Sequence, residues 1–91
     1  MSEKILERNC CREAEKRGWI AMKLVSPGRR GVPDRLFIGP QGQNVYVEFK
    51  ARTGRVRPEQ ERMIKQLIRM GHEAHIIWSF DLFMIAMGWH D

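Results

Sequence analysis

A glutamate and a lysine two residues apart, Glu48 and Lys50, stand in a run of strand-forming residues, Val45-Tyr46-Val47-Glu48-Phe49-Lys50. Alternation along a strand sends Tyr46, Glu48 and Lys50 to one face and Val45, Val47 and Phe49 to the other. The second set is a core face. The first sets a carboxylate beside an ammonium. Another acid, Asp34, follows the turn Gly31-Val32-Pro33, where the chain enters a neighbouring strand. If the two strands pair as a hairpin-like unit, Asp34 comes near Glu48. Converging carboxylates repel unless a cation sits between them, and Mg2+ takes one or two carboxylates plus waters and substrate phosphate. Such an ion lowers the pKa of bound water and stabilises charge on a phosphoryl oxygen. Lys50 is then placed to hold the attacking water or to offset transition-state charge. The residues therefore point to metal-assisted phosphodiester hydrolysis.

The charge distribution points the same way. A net charge of +5 on 91 residues implies a polyanionic partner. From Lys23 to Arg57 there are eight basic residues and only two acids, Asp34 and Glu48. Two basic loops flank the acidic pair, one from Ser26 to Pro33 and one from Thr53 to Arg57. The expected DNA contacts are Lys23, Ser26, Arg29, Arg30, Arg35, Arg52, Arg55 and Arg57, which would hold the phosphate backbone.

These residues need elements to position them. Residues 3–17 read as a helix, with Leu6, Cys10 and Ala14 at four-residue spacing and Gly18 as its stop. A first strand covers 19–25, and Asp34 to Ile38 and Asn44 to Arg52 form a strand pair around Gly39-Pro40-Gln41-Gly42. A second helix opens at Pro58 with Glu59 and Glu61 in its first turn and runs to Gly71. Gln60 shares a face with Ile64 and Leu67, so it points toward the sheet. A strand near Ala74–Trp78 and an apolar segment from Ser79 to Trp89 follow. The order is α-β-β-β-α-β-α, an α/β class domain with a small mixed sheet flanked by helices, and the length fits one domain over 1–91.

Gly31-Val32-Pro33-Asp34-Arg35, a spacer, then Val47-Glu48-Phe49-Lys50 resembles the PD...(D/E)XK signature of a nuclease superfamily with a restriction-endonuclease-like core. The closer resemblance is to VRR-NUC domains (virus-type replication-repair nucleases), above all the stand-alone ones of phages. It extends over the helix with Glu7, the Ser-Pro-Gly loop and Arg57-Pro58-Glu59-Gln60. The resemblance implies that Asp34, Glu48 and the Phe49 backbone carbonyl ligate Mg2+ or Mn2+, and that Lys50 is the catalytic lysine. It matches Glu7 to the acidic residue of the first helix, with Glu3 one turn earlier as the competitor, and Gln60 to a glutamine of the site. It further implies a homodimeric endodeoxyribonuclease acting on branched DNA such as a Holliday junction. The alternative is a DNA-binding module that keeps the fold without turnover.

Other features are expected to be structural. Cys10 and Cys11 are neighbours on a helix and do not face each other, so they read as packing thiols. His72, His75 and His90 lack ligand spacing. The apolar residues of the C-terminal segment, Leu82, Phe83, Ile85 and Met87, do not sort onto one face. Such a helix needs cover on more than one side, and a partner subunit is the expected cover, with packing under the sheet as the alternative. No apolar run reaches the roughly 18 residues of a membrane span, and the N-terminus is too charged for a signal peptide. The expected location is the cytoplasm, that of the host if the protein is phage-encoded.

Overall fold

A computed structural model describes residues 1–90. The chain forms α1 (Glu3–Lys16), β1 (Ile20–Lys23), β2 (Arg35–Ile38), β3 (Asn44–Phe49), α2 (Pro58–Arg69), β4 (Glu73–Ile77) and α3 (Phe80–Met87). This is the α-β-β-β-α-β-α order expected, with strand ends shifted by one to three residues. The sheet order is β1-β2-β3-β4. The first two pairings are antiparallel and β3–β4 is parallel, so the sheet is mixed.

Each helix carries its own start signal. The Ser2 side chain accepts a hydrogen bond from the Ile5 N–H at 3.1 Å, and Ser79 does the same for Leu82 at 3.1 Å, satisfying donors the first turn would otherwise leave open. Pro58 opens α2, where its missing N–H costs nothing. Past Lys16, Gly18 takes a φ of 82° and turns the chain toward β1, a conformation that only glycine enters without a steric penalty.

Alternation on β3 divides the molecule into two layers. Val45, Val47 and Phe49 lie with Phe37 and Ile77 against Leu6, Cys10, Cys11 and Ala14 of α1 and Phe83 of α3. Tyr46, Glu48 and Lys50 take the opposite face, where α2 sets Gln60 against Glu48. Both cysteines are free and buried. Burial raises the Cys10 thiol to about 12 and the Cys11 thiol to about 11, so both stay protonated and behave as packing groups.

The C-terminal segment departs from expectation. Its apolar residues are covered by this chain. Phe83 is fully buried, with its ring 5.2 Å from that of Phe37 and 6.3 Å from that of Phe49. Phe80, Met84, Ala86, Met87 and Trp89 pack around the same core, and Trp89 meets Trp19 edge-on at 5.3 Å. The helix is apolar on two sides because it lies against both the sheet and α1. Only Leu82 and Ile85 remain exposed among its large apolar residues. The segment is therefore mostly spent on this chain's own core, and Leu82 and Ile85 are what it leaves for a partner.

Candidate active site

The site forms at the end of β3. With β2 and β4 on either side, β3 is central, and its last residues are enclosed: Glu48 is 3% exposed and Lys50 7%. The Lys50 N–H continues the ladder by donating to the Ile77 carbonyl at 2.9 Å. Asp34 sits immediately before β2 and is pinned twice. Its backbone carbonyl accepts from the Leu24 N–H at 3.0 Å, and its Oδ2 accepts from the Phe49 N–H at 2.8 Å. The hairpin-like pairing expected from sequence thus brings Asp34 to the Glu48 end of β3.

Gly31 explains how the preceding turn fits. Its φ is 81°, and a Cβ there would lie 2.3 Å from the Glu59 carbonyl oxygen. Only a bare Cα lets this turn press against the first turn of α2. That contact joins the loop carrying Asp34 to the helix carrying Gln60. Gln60 in turn is buried and fully engaged. Its Oε1 accepts from the Arg57 N–H at 3.0 Å, and its Nε2 donates to Glu48 Oε2 at 2.9 Å. Since a backbone N–H can only donate, it fixes the amide orientation and obliges the NH2 group to face Glu48.

The first helix contributes differently from expectation. Glu3, not Glu7, lies with Asp34 and Glu48: the three carboxylates offer oxygens all within 4.8 Å of one another. Glu7 is instead held by Arg35, whose Nε lies 2.6 Å from Glu7 Oε2 and whose second nitrogen donates to the Ala21 carbonyl at 3.1 Å. Asp34 and Arg35 are adjacent on extended chain and point to opposite faces. The aspartate therefore enters the site while the arginine turns to α1 and removes Glu7 from it. Arg35 was also an expected phosphate contact, and this ion pair occupies it.

The cluster is electrostatically strained without a cation. Burial raises the Glu48 carboxyl to about 7, the neighbouring Asp34 charge adds to the rise, Lys50 opposes it, and Glu3 adds further. Asp34 is raised as well, chiefly by burial, against the lowering effect of the Phe49 N–H. Lys50 Nζ stands 3.8 Å from Glu48 Oε2, an ion pair too long for a hydrogen bond. Its ammonium keeps donors available for the cleft.

The donor set fits a hard divalent ion. It is all carboxylate, with no cysteine or histidine, which suits Mg2+ or Mn2+ rather than zinc. The histidines lie elsewhere: His72 packs edge-on to Tyr46 at 5.7 Å, and His75 bonds Glu73 at 2.9 Å.

The three carboxylates, Lys50 and Gln60 open onto one cleft of about 570 Å3, lined also by Arg30, Gly31, Val32, Arg57 and Glu59. Of the expected DNA contacts, Arg30 and Arg57 rim this cleft. Lys23 and Arg35 line a separate groove beside α1, Arg29 borders an apolar hollow against α2, and Arg52 lies near Trp78. Ser26 and Arg55 are exposed loop residues outside all four.

A mixed sheet flanked by helices, with three carboxylates, a lysine and two arginines gathered in one open cleft, fits an α/β domain of nuclease type. Comparison with known proteins makes the class specific. The VRR-NUC domain family profile matches residues 3–80, and the chain belongs to that family. It is 43% identical over 83 residues to a protein of Acyrthosiphon pisum secondary endosymbiont phage 1 named "Putative nuclease p44", covering 91% of this chain and 89% of that one. A solved structure titled "VRR_NUC domain" superposes with a TM-score of 0.87 at 26% identity, covering 98% of this chain and 97% of the other.

Proposed function

We propose that this nuclease is a divalent-metal-dependent endodeoxyribonuclease, acting as a single domain on the phosphodiester backbone of DNA. The observation that carries the reading is the convergence of Glu3, Asp34 and Glu48 beside Lys50 in a cleft rimmed by Arg30 and Arg57. Glu3, Asp34 and Glu48, with the Phe49 backbone carbonyl, would hold Mg2+ or Mn2+. When bound, the ion supplies Lewis acidity for the phosphoryl oxygen and lowers the pKa of water.

The chain's own groups do the rest. Arg30 and Arg57 hold the backbone phosphates across the cleft. Lys50 donates toward the attacking water and the charge that builds on the phosphorus-bound oxygens. Gln60 fixes the Glu48 carboxylate from behind through a bond that leaves one glutamate oxygen free. The attack forms one P–O bond and breaks another, so the phosphate charge rises in the transition state and falls to cationic side chains already in place.

A binding module without turnover is the weaker reading. A mere phosphate-binding surface gains nothing from burying one carboxylate and gathering two more beside it. Branched DNA is proposed as the substrate, and a homodimer as the working form, on the family resemblance. The dimer would bury apolar residues left open by the fold, such as Ile20 and Met22 on the edge strand β1, with Leu82 and Ile85 of α3 a smaller contribution. No helix among the described residues is long and apolar enough to cross a membrane, and the phage relative supports action in the host cytoplasm.

The test is cleavage of a labelled four-way junction and matched linear duplex with Mg2+, Mn2+ or EDTA, for wild type and Lys50→Ala. Metal-dependent cutting absent from the variant supports the nuclease, and preference for the junction supports branch selectivity. A folded wild type that binds DNA yet cuts neither substrate with either metal puts the binding module in its place.

A further inference from the structure

The cleft accounts for few of the protein's exposed cations. Along α1, Lys4, Arg8 and Arg12 recur every four residues, and all three are exposed. One helical turn separates each from the next, about 6 Å of rise, so they form a stripe about 12 Å long. Lys23, the last residue of β1, lines the same groove of about 430 Å3. Among the described residues none of these four cations has an ion-pair partner. The other basic residues of α1 and its cap are treated differently: Lys16 and Arg17 both pair with Glu13, at 3.4 and 2.9 Å.

The groove's two acids do little to balance the stripe. Glu7 is taken by Arg35, which leaves Glu15 alone facing four unpaired cations. Like charges four residues apart destabilise a helix, so the stripe works against α1. The stripe starts at the end of α1 that supplies the site, since Lys4 follows Glu3 of the carboxylate cluster.

We propose that Lys4, Arg8 and Arg12, continued by Lys23, form a phosphate track that carries an arm of the DNA substrate away from the cleft along α1. This rests on the reading of the site as a DNA nuclease and adds the surface that holds the uncut part of the substrate. A polyanion whose phosphodiester reaches the carboxylate cluster must leave the cleft in some direction, and the stripe starts at Lys4, the residue after Glu3 of that cluster. Over 12 Å of axis one strand of B-form DNA presents about three or four phosphates, at roughly 3.4 Å per charge. The stripe and Lys23 match that number. Arg30 and Arg57 hold the substrate on the far rim.

The experiment is equilibrium binding of a fluorescent duplex and a four-way junction in EDTA, where nothing is cut, from 50 to 200 mM NaCl. Wild type is compared with the triple variant Lys4→Gln, Arg8→Gln, Arg12→Gln. A control removes the same number of charges from α2: Arg62→Gln, Lys65→Gln, Arg69→Gln. Thermal melting checks that all three proteins are folded. Losing three phosphate contacts lowers the slope of log K against log salt by about 2.7, so across that range wild-type affinity falls about 40-fold further than the variant's. The control keeps the wild-type slope. An unchanged slope in the α1 variant, or an equal loss in the control, overturns the track while leaving the nuclease reading intact. A wild type that binds neither DNA sinks the nuclease reading itself.

Discussion

Glu48→Gln isolates the electrostatic cost built into the cleft. The Glu48 carboxyl is raised from 4.5 to about 7, first by burial and then by the Asp34 charge. A carboxyl whose folded pKa lies above its unfolded value binds its proton more tightly in the folded state. Its contribution to stability is complete below pH 4.5 and is lost as pH rises through about 7. At about 1.36 kcal/mol per pH unit, the metal-free protein should lose roughly 3 kcal/mol from this group across that window. A domain of this size shifts its melting temperature by about 4–8 °C per kcal/mol, which makes the loss at least about 10 °C. The glutamine variant keeps the side-chain shape, and its amide oxygen can still accept from Gln60 Nε2. It carries no charge to desolvate. In EDTA the variant should therefore melt near the wild type at pH 4.5 and at least about 10 °C above it at pH 8. Adding Mg2+ or Mn2+ at pH 8 should stabilise the wild type by mass action and leave the variant unmoved. Differential scanning fluorimetry over pH 4.5–8, with and without metal, reads all of this. Other titrating groups largely cancel in the difference between the two proteins. A difference in melting temperature that stays flat with pH would refute the argument, as would a variant less stable than wild type at pH 8.

Three further perturbations separate the roles argued above. Glu3→Gln should weaken Mn2+ binding measured by calorimetry and reduce cleavage at least tenfold, whereas Glu7→Gln should leave metal affinity alone and cost about 1 kcal/mol of stability, because the bond from Arg35 keeps an acceptor and loses its charge; the opposite pattern would return the site to Glu7. Gln60→Leu should destabilise the fold by about 1–3 kcal/mol, because the Arg57 N–H and Glu48 Oε2 both lose their partner, and should lower the cleavage rate at saturating metal more than it weakens DNA binding. Ile20→Glu with Met22→Glu should convert a dimer to a monomer in sedimentation equilibrium without changing the melting temperature of the chain; a wild type that sediments as a monomer at tens of micromolar would remove the dimer from the reading.

Much of this protein is legible in local sequence because the deciding interactions are local. The two-residue period of β3 sends Glu48 and Lys50 to one face and Val45, Val47 and Phe49 to the core, whatever packs around them. Gln60 turns to the sheet because it lies in register with Ile64 on a helix whose start is marked by Pro58. The Gly-Val-Pro-Asp turn is equally local, though the need for Gly31 is not: it comes from the Glu59 carbonyl, 28 residues further on.

Where sequence alone fell short, partners distant along the chain made the choice. Glu3 and Glu7 lie one turn apart on nearly the same face of α1, so helical spacing cannot separate them. Arg35 separates them, because β2 carries its guanidinium to Glu7 and away from Asp34. The C-terminal helix is apolar on two sides in sequence, and only the fold tells whether a second subunit or its own α1 and sheet supply the cover. Composition located the basic residues of the 23–57 segment, but the stripe on α1 becomes a groove only once Lys23 and Arg35 fold against it. Sequence determined the period of each element and the chemistry of its side chains. The tertiary structure decided which of two equivalent charges is neutralised, since that energy depends on a distance of a few ångströms that no local rule can set.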